Sequence, residues 1–374
     1  MKTGFITNGL VWTENGFRDG INVRVDNGII LEMGAGLKPD AREDVIDLAG
    51  GYLAPGFVDV HTHAFQGHDT MEGEDAVRRM SRSLYRIGVA AFLPTTMSAS
   101  AADTKKAVAD IFRVMDKPEE DAADILGVHM EAPFLNPAKK GAQIGEHLMK
   151  PDMKAYLDMC SGQPERVRLL TLAPELDEGF RFIRGLAGTG TVISAGHTDA
   201  DDETVHAAAD AGLTHVTHTF NAQSPIHHRK PGVPGAALTD DRLYCEMICD
   251  GIHLHPDIVM LILRAKGPEK AVAITDSMEA AGLGDGDYTL GGQKVHVSGG
   301  EARLSDGTLA GSVLTMLKAF QNLIAWGIAP SDAVRVTCLT PAESIGAKAY
   351  GRISVGAHAG MNVFDREFRL VRVL

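Results

Sequence analysis

Residues 54–63 read APGFVDVHTH, an apolar run that ends in two histidines one residue apart. Alternate side chains of a β-strand point to the same face, so we expect His61 and His63 to lie side by side. Neutral imidazole is a common metal ligand, and two imidazoles placed in this way can hold one cation. The alternative is a strand that simply ends in two polar residues before a loop, and this motif alone leaves both open.

Composition limits the class of protein. The chain has 374 residues, 44% of them hydrophobic and 23% charged, which is typical of a soluble globular protein with a large core. A net charge of -13 argues against binding to nucleic acid or anionic membranes, although a small anionic substrate needs only local positive charge. The opening MKTGFITNGLVW lacks the features of a signal peptide, and no apolar run is long enough to span a bilayer. We therefore expect a cytoplasmic protein with neither a nucleic-acid partner nor a membrane partner.

Strand and helix patterns alternate through most of the chain. The predicted strands after the first histidine pair cover residues 90–96, 125–131, 168–173, 192–197, 214–219, 243–248 and 271–275, and the predicted helices cover 75–87, 104–115, 178–186, 202–211, 256–265 and 313–326. About eight β-α units of this length predict an α/β protein with a closed (β/α)8 TIM barrel.

Both ends of the chain read as short strands instead. Near the start, residues 22–25 and 29–32 flank the turn Asp26-Asn27-Gly28, which is a good signal for a β-hairpin. Near the end, residues 362–364 and 370–373 are strand-like. We expect residues 1–53 and 351–374 to form one small β-rich domain beside a barrel domain that covers residues 54–350.

Polar residues stand at the ends of several predicted barrel strands. They are His61, His63, Glu131, His197, His218 and Asp276. The carboxyl ends of barrel strands converge on one mouth, so residues far apart in sequence are expected to line one pocket there. Imidazoles and a carboxylate can hold a divalent cation with a position open for water, and the cation lowers the pKa of that water from about 15.7 to about 7. Any one of these residues, taken alone, could be an ordinary solvated loop residue. Together they predict a metal site.

Asp276 is the residue that we expect to move a proton. It comes last, on its own strand, and a carboxylate that is not needed as a structural ligand can accept the water's proton and return it to a leaving group. Residues 280–284 (AAGLG) follow, and we expect them to form a mobile loop.

These residues lie in segments that resemble the amidohydrolase superfamily and, within it, the N-acetylglucosamine-6-phosphate deacetylase family. The segments are PGFVDVHTH (55–63), GVHMEAPFLNPAKKGAQ (127–143), SAGHTDA (194–200), THTFNAQSPIHHRKPGVPGAAL (217–238), CDGIHLHP (249–256), ITDSMEAAGLGDGDY (274–288) and LAGS (309–312). The resemblance implies metal-dependent hydrolysis of the N-acetyl amide of N-acetyl-D-glucosamine 6-phosphate, which yields D-glucosamine 6-phosphate and acetate in amino-sugar catabolism.

The resemblance also implies roles for individual residues. The expected metal ligands are Glu131, His197 and His218, joined by the first-strand pair His61 and His63, and the catalytic acid/base is Asp276. Family members that keep both first-strand histidines can hold two metals, so this chain should hold one or two divalent cations, which can be zinc, iron or manganese. The expected substrate-binding residues are Ala142, Gln143, Asn221, Ala222, Arg229, His253, Leu309, Ala310 and Gly311. In the family the phosphate contacts come from the partner subunit, which implies a homodimer with Arg229 and His253 reaching the neighbouring subunit's site.

The charge pattern supports a phosphate site independently. Residues 227–230 (HHRK) are the densest basic cluster in an acidic chain, and arginine suits bidentate recognition of phosphate. A solvated loop with chance charges is the alternative reading. Three residues depart from the family pattern: Gln143 replaces a histidine, Ala132 replaces a glycine and Gly360 replaces an aspartate. Gln143 matters most, because an amide can donate a hydrogen bond but cannot carry charge or a proton.

Other functions remain open at this point. The same residues can serve a deacetylase of another N-acyl amino-sugar phosphate, such as N-acetylgalactosamine 6-phosphate, and Gln143 is the reason to consider it. A non-catalytic barrel that binds sugar phosphate requires a lost catalytic group, and none is missing. Deamination of a nucleobase is disfavoured by the resemblance around Asn221 and Arg229. Of the remaining histidines, His129 is expected to support the site or to pack in the core, and His215 to face away from it.

Overall fold

The computed structural model describes residues 3–374, so the first two residues of the predicted small domain lie outside the described residues. The N-terminal strands are β1 (Gly4–Thr7), β2 (Leu10–Thr13), β3 (Gly16–Arg18), β4 (Asn22–Asp26), β5 (Ile29–Gly34), β6 (Val45–Asp47) and β7 (Tyr52–Pro55). Strands β5, β4, β1 and β6 form a sheet in that order. The predicted hairpin is confirmed, since β4 and β5 pair antiparallel. Asn27 and Gly28 have φ values of 49° and 75°, as a tight hairpin turn requires.

A closed parallel barrel follows. Its region contains β8 (Phe57–Thr62), β9 (Ala64–Phe65), β10 (His68–Asp69), β11 (Val89–Thr96), β12 (Asp124–Ile125), β13 (Val128–Met130), β14 (Val167–Leu172), β15 (Val192–Ala195), β16 (His215–Val216), β17 (Tyr244–Ile248) and β18 (Ala271–Ile274). β9 and β10 form a short antiparallel pair, and β12 precedes β13 on the same edge of β11. The eight barrel strands are β8, β11 and β13–β18, each parallel to the next.

Backbone contacts between the first and last barrel strands close the sheet. The Asp276 amide donates to the carbonyl of His61 over 2.8 Å, and Thr62 and Ser277 form a parallel bridge. The buried side chain of Asp59 accepts from the Thr275 hydroxyl over 2.6 Å at the same seam. The predicted (β/α)8 barrel is therefore confirmed.

A helix follows each barrel strand, and two more end the barrel. The helices are α1 (Glu74–Arg86), α2 (Ala101–Met115), α3 (Met153–Met159), α4 (Arg181–Leu186), α5 (Asp202–Ala211), α6 (Gly232–Thr239), α7 (Pro256–Lys266), α8 (Met316–Ala325), α9 (Pro330–Val334) and α10 (Thr340–Ser344). The predicted helix over 178–186 begins as a 3-10 turn, because Phe180 has a φ of 54° and the α-helix starts only at Arg181. Four helices (α3, α6, α9 and α10) were not predicted. Among the described residues no helix is both long and apolar enough to cross a membrane.

A three-stranded antiparallel sheet between β18 and α8 was also not predicted. It consists of β19 (Gly286–Leu290), β20 (Gln293–Ser298) and β21 (Glu301–Arg303). Leu290, Val295 and Val297 form a small separate core with Met97 and Met278. The segment 280–284 before this sheet has its first two residues buried and its last three exposed, and its mobility stays a prediction.

The two ends of the chain meet in one sheet, as expected. β22 (Met361–Phe364) pairs antiparallel with β7 and with β23 (Leu370–Val373), which gives the order β23-β22-β7-β2-β3. β7 runs across the predicted boundary between residues 53 and 54, so the division into 1–53 plus 351–374 and 54–350 stays a prediction.

Gly88 joins this terminal sheet to the barrel. Its carbonyl accepts one hydrogen bond from the Phe57 amide and another from the side-chain nitrogen of Asn362, both over 2.9 Å. Asn362 is fully buried. Gly88 has a φ of 89°, and a Cβ there would lie 2.6 Å from the side-chain oxygen of Asn362. The junction therefore depends on a residue without a side chain.

We expect Gly88→Ala to lower the free energy of unfolding by about 1–3 kcal/mol more than Gly327→Ala, as measured by urea denaturation. Both glycines have a φ of 89°, so the two alanines carry the same left-handed strain. Gly327 has no atom within 4 Å of the new Cβ, which makes it the matched control. Equal losses in the two variants would contradict a tight contact at this junction.

Candidate active site

The barrel brings together the five predicted metal ligands and the predicted acid/base, Asp276. They belong to two groups, a first group of His61, His63 and Asp276 and a second group of Glu131, His197 and His218. Within each group the ligand atoms lie within 4.8 Å of one another. Together we name these six residues the ligand cluster, and all of them are buried or nearly so.

Glu131 connects the two groups. Its Oε1 atom lies 3.2 Å from the Nε2 atoms of His197 and His218, and its Oε2 atom lies 3.3 Å from Nε2 of His63. In the first group Asp276 Oδ1 lies 3.2 Å from Nε2 of His63. A carboxylate that faces both groups can bridge two cations.

Unusual backbone conformations direct three of these side chains. His197, His218 and Asp276 have φ values of 46°, 28° and 49°, in a region that non-glycine residues rarely adopt and that is enriched at functional sites. Each follows a barrel strand that has just ended. The predicted strands at 192–197, 214–219 and 271–275 were too long by one to three residues at their carboxyl ends, because the chain leaves the extended conformation there.

Second hydrogen bonds orient the imidazoles. Nδ1 of His63 donates to the carbonyl of Thr95 over 3.2 Å, and Nδ1 of His197 donates to the carbonyl of Lys139 over 2.9 Å. A carbonyl only accepts, so the lone pair of each Nε2 atom faces the cluster, as metal ligation requires. Nδ1 of His218 is buried and has no hydrogen-bond partner among residues 3–374.

The charge balance of the cluster favours a cation. Asp59, Glu131, Glu246 and Asp276 are all less than 10% exposed, and none forms an ion pair with lysine or arginine within the described chain. Burial raises the pKa of Asp59 to about 6. Buried carboxylates are costly unless positive charge accompanies them, and one or two divalent cations would supply it. The donor set therefore fits a metal centre.

Protons compete for the same nitrogen atoms. Burial opposes protonation of His61, but the charges of Asp276 and Glu131 outweigh it and raise the pKa of His61 well above its ordinary value. In the same way, Asp276 and Glu131 raise the pKa of His63 to about 9 against the effect of its burial. The pKa of Glu131 is held well below its ordinary value because neighbouring histidines, His61 first, outweigh its burial. Cation binding must displace these protons.

A cavity of about 390 Å³ opens next to the cluster. Its wall includes five of the six cluster residues, all except His61. Of the predicted substrate residues it includes Ala142, Gln143, Asn221, Ala222, His253, Leu309 and Gly311. Ala310 points elsewhere, into the small core beside β19–β21. The wall also contains residues that the sequence analysis did not assign, namely Met97, Ala138, Lys139, Gly141, Leu290 and Thr308.

The two predicted phosphate contacts differ in position. Arg229 does not line this cavity; its guanidinium is exposed and lies 2.8 Å from Nε2 of His228. His253 lines the cavity of its own chain, and its Nδ1 atom is 2.6 Å from Asp250 Oδ2. Burial lowers the pKa of His253, but the Asp250 carboxylate outweighs this and leaves it raised. The expectation that Arg229 and His253 reach a neighbouring subunit stays a prediction.

Gln143 is held at both ends of its amide. Its oxygen accepts from the Ser98 amide over 2.8 Å, and its nitrogen donates to Glu131 Oε2 over 2.6 Å. The side chain is 2% exposed. The residue that replaces the family's histidine therefore contacts a candidate metal ligand directly, which the sequence had not indicated.

The other assessed histidines lie as follows. His129 is buried beside the cluster, with its Nε2 atom 2.8 Å from the Thr171 hydroxyl and its ring centroid 4.5 Å from that of His61. His215 stacks on Tyr244 with ring centroids 5.0 Å apart and belongs to neither ligand group.

Glu246 is the residue near the cluster that the sequence analysis missed. It lies in β17, is fully buried, and contacts Nδ1 of His61 over 3.1 Å. A signal was present, since Glu246 is the single acidic residue in the apolar run LYCEMIC (243–249). For Lys139 no such signal existed, because a lysine in a KKG sequence usually belongs to a solvated loop.

Known proteins are similar to this chain in sequence and in fold. A sequence profile of the amidohydrolase family matches residues 52–372. The N-acetylglucosamine-6-phosphate deacetylase of Bacillus subtilis (strain 168) is 38% identical over 334 residues, which cover 86% of this chain and 83% of that protein. The N-acetylgalactosamine-6-phosphate deacetylase of Escherichia coli O157:H7 is 32% identical over 356 residues, which cover 94% and 93%. A variant of the Mycobacterium smegmatis N-acetyl-D-glucosamine-6-phosphate deacetylase, solved with N-acetyl-D-glucosamine-6-phosphate, has a TM-score of 0.92 at 31% identity, covering 100% and 98% of the two chains.

We expect chelation to lower the melting temperature by a few degrees, because the buried carboxylates then lose their compensating charge. A cation at 100 times its Kd contributes about 2.7 kcal/mol of stability. Circular dichroism melts in EDTA, and after addition of excess Zn²⁺, measure this change. The decrease in melting temperature caused by EDTA should be smaller in the double variant Glu131→Gln/His218→Ala. An unchanged melting temperature in the wild type, with no metal retained on elemental analysis, would contradict the metal centre.

Proposed function

The chain belongs to the amidohydrolase family, and we propose that it hydrolyses the N-acetyl amide of N-acetyl-D-glucosamine 6-phosphate. The products are D-glucosamine 6-phosphate and acetate, in amino-sugar catabolism. The observation that carries this proposal is that five residues of the ligand cluster lie in the wall of a cavity that also contains most of the predicted sugar contacts. The similarity to deacetylases over more than four-fifths of the chain supports it.

Either group of the ligand cluster suits a divalent cation. His61, His63 and Asp276 would hold one, and Glu131, His197 and His218 would hold another. Zinc, iron and manganese all accept histidine and carboxylate ligands, so we propose one or two such cations per subunit. When bound, a divalent cation lowers the pKa of a water molecule to about 7 and polarises the amide carbonyl.

Asp276 is the proposed acid/base. It lines the cavity, and burial opposes its ionisation, but the charge of His61 outweighs burial and lowers the pKa of Asp276. The carboxylate therefore begins the reaction ionised and accepts a proton from the attacking water. The new C–O bond forms at the acetyl carbon, the C–N bond breaks, and Asp276 returns the proton to the amine nitrogen of the sugar.

Cavity residues supply the sugar and phosphate contacts. The side-chain nitrogen of Asn221 is buried without a hydrogen-bond partner among the described residues, so it is free to donate to the sugar. Asp250 raises the pKa of His253, which favours the positively charged form of its imidazole. Lys139 adds a second positive charge, although its Nζ atom already lies 3.1 Å from Asp199. These two groups provide the local attraction for a phosphate that an acidic chain otherwise lacks.

A second candidate is the deacetylation of N-acetylgalactosamine 6-phosphate. One observation favours it, the similarity to an enzyme named for that substrate, and Gln143 is a further reason to consider it, because the resemblance places this residue where the family has a histidine. The two sugars differ only in the configuration at one hydroxyl. A non-catalytic barrel is disfavoured, since every predicted catalytic and metal-binding side chain is present.

We further propose a cytoplasmic homodimer in which Arg229 contacts the phosphate bound to the neighbouring subunit. Its exposed guanidinium has no acidic partner among the ion pairs of the described residues, and the basic segment 227–230 is exposed around it. The structure favours a contact of His253 with the neighbouring subunit's site less than it favours the contact of Arg229, because His253 lines the cavity of its own chain. The mass of the protein in solution tests the dimer, and cell fractionation tests the location.

We expect acetate release to be fastest with N-acetyl-D-glucosamine 6-phosphate, slower with its galactosamine epimer, and at least about tenfold slower with unphosphorylated N-acetyl-D-glucosamine. Asp276→Asn should lower kcat by about 10²- to 10⁴-fold, because an amide cannot accept the proton. Elemental analysis of the same variant should still find the cation held by Glu131, His197 and His218. Retained turnover in Asp276→Asn would refute its role, and a preference for the epimer would favour the second candidate.

We expect Asp250→Asn to raise KM for the phosphorylated substrate, by about tenfold near pH 7.5, with kcat little changed. A raised pKa keeps the His253 imidazole charged to higher pH. Removing the Asp250 carboxylate lowers this pKa, so the imidazole loses its charge at a lower pH. Asp276 raises the pKa of His253 slightly and Arg303 lowers it, and both remain in the variant. Asparagine retains the oxygen that accepts from the Ile252 and His253 amides. KM for the unphosphorylated sugar is the control, and an equal rise there would contradict a phosphate contact.

A further inference from the structure

Glu246 contacts both groups of the ligand cluster without belonging to either. Its Oε2 atom lies 3.1 Å from Nδ1 of His61, in the first group, and 3.1 Å from the backbone nitrogen of His218, in the second. The side chain is fully buried in β17. One carboxylate oxygen thus accepts hydrogen bonds from a residue of β8 and from a residue just after β16.

The partner of His61 differs from those of the other histidines. His63 and His197 donate their Nδ1 protons to backbone carbonyls, whereas His61 donates to a carboxylate. A carboxylate fixes the same tautomer but also increases the electron donation of Nε2 to a cation. A histidine of the first group therefore bonds through its Nδ1 atom to a negatively charged carboxylate. No histidine of the second group has such a partner at Nδ1 among the described residues.

Glu246 has no other compensation for its charge. No lysine or arginine within the described residues pairs with it, and its Oε1 atom is buried without any hydrogen-bond partner there. An ionised carboxylate in such a place is unfavourable unless positive charge lies close by. Glu246 contacts an imidazole ring only in the first group, where it meets His61; its contact with the second group is to the backbone of His218.

We propose that Glu246 is a positioning residue that acts through His61 and determines whether the first group holds a cation. The inference rests on the metal-binding part of the proposed function and extends it to the number of cations. Metal content is measured without reference to any substrate. A failure of the deacetylase assignment therefore remains distinguishable from a failure of this proposal.

A purely structural role would act differently. The bond to the His218 backbone helps to hold a residue with a φ of 28°, so loss of that bond alone would weaken the second group and the fold together. Selective loss of one cation separates the two roles.

The test is Glu246→Gln, which keeps the shape and one accepting oxygen but removes the charge. Metal-free protein is titrated with Zn²⁺ by calorimetry, and the bound zinc is counted by elemental analysis. We expect two equivalents in the wild type, and in the variant an affinity about 10- to 100-fold weaker for one equivalent only. His61→Ala identifies which equivalent belongs to the first group. Adding Glu246→Gln to His61→Ala should produce no further change.

Asp110→Asn is the matched control. Asp110 is also a buried carboxylate, 3% exposed, but it lies in α2 and pairs with Lys106 and Arg113. Its removal should leave both zinc affinities unchanged. Should Glu246→Gln fail to fold, Glu246→Asp keeps the charge but draws the oxygen away from His61, and the same selective loss is expected.

Three results would overturn the proposal. They are unchanged zinc binding in the folded variant, equal weakening of both equivalents, and a single equivalent in the wild type. Acetate release by the wild type is assayed separately. Selective zinc loss without any acetate release would refute the deacetylase assignment and leave the role of Glu246 standing.

Discussion

The carboxylate of Glu131 is the interaction on which the candidate site depends. One oxygen faces His197 and His218 and the other faces His63, so a single side chain after β13 joins residues that follow three other barrel strands. This is possible only because the sheet closes: the hydrogen bond from the Asp276 amide to the His61 carbonyl joins the ends of the last and first barrel strands. An open sheet would leave these residues at opposite edges.

The electrostatics of the site follow from that closure. Closing the barrel buries several carboxylates that lack lysine or arginine partners among the described residues, and these carboxylates raise the pKa values of His61 and His63. Buried carboxylates are unfavourable without positive charge nearby, and divalent cations would supply that charge. Burial opposes the ionisation of Asp276, the proposed acid/base, but the neighbouring histidines, His61 first, outweigh burial and lower its pKa. The proposed cation binding and the proposed proton transfer by Asp276 thus depend on the same buried charges.

Much of the fold could be predicted because its signals are local. Apolar strands alternate with amphipathic helices, and α5 covers Asp202–Ala211, the range predicted from the sequence. The errors have physical causes as well. The sheet β19–β21 is short and packs on Met97 and Met278 from elsewhere in the chain, so its core is not contained in its own sequence. Strand ends near His197 and His218 were misplaced because positive φ values at non-glycine residues leave no pattern in the sequence.

The sequence by itself determined the barrel, the family and the types of residue in the ligand cluster, because residue identity and strand periodicity are written along the chain. Only the tertiary structure decided how those residues are paired. Gln143 bonds to Glu131, Glu246 bonds to His61, and His253 lies at the cavity of its own chain while Arg229 does not. These are contacts between side chains separated by tens to hundreds of residues. Their geometry depends on how the closed sheet and its loops pack, and no local pattern encodes it.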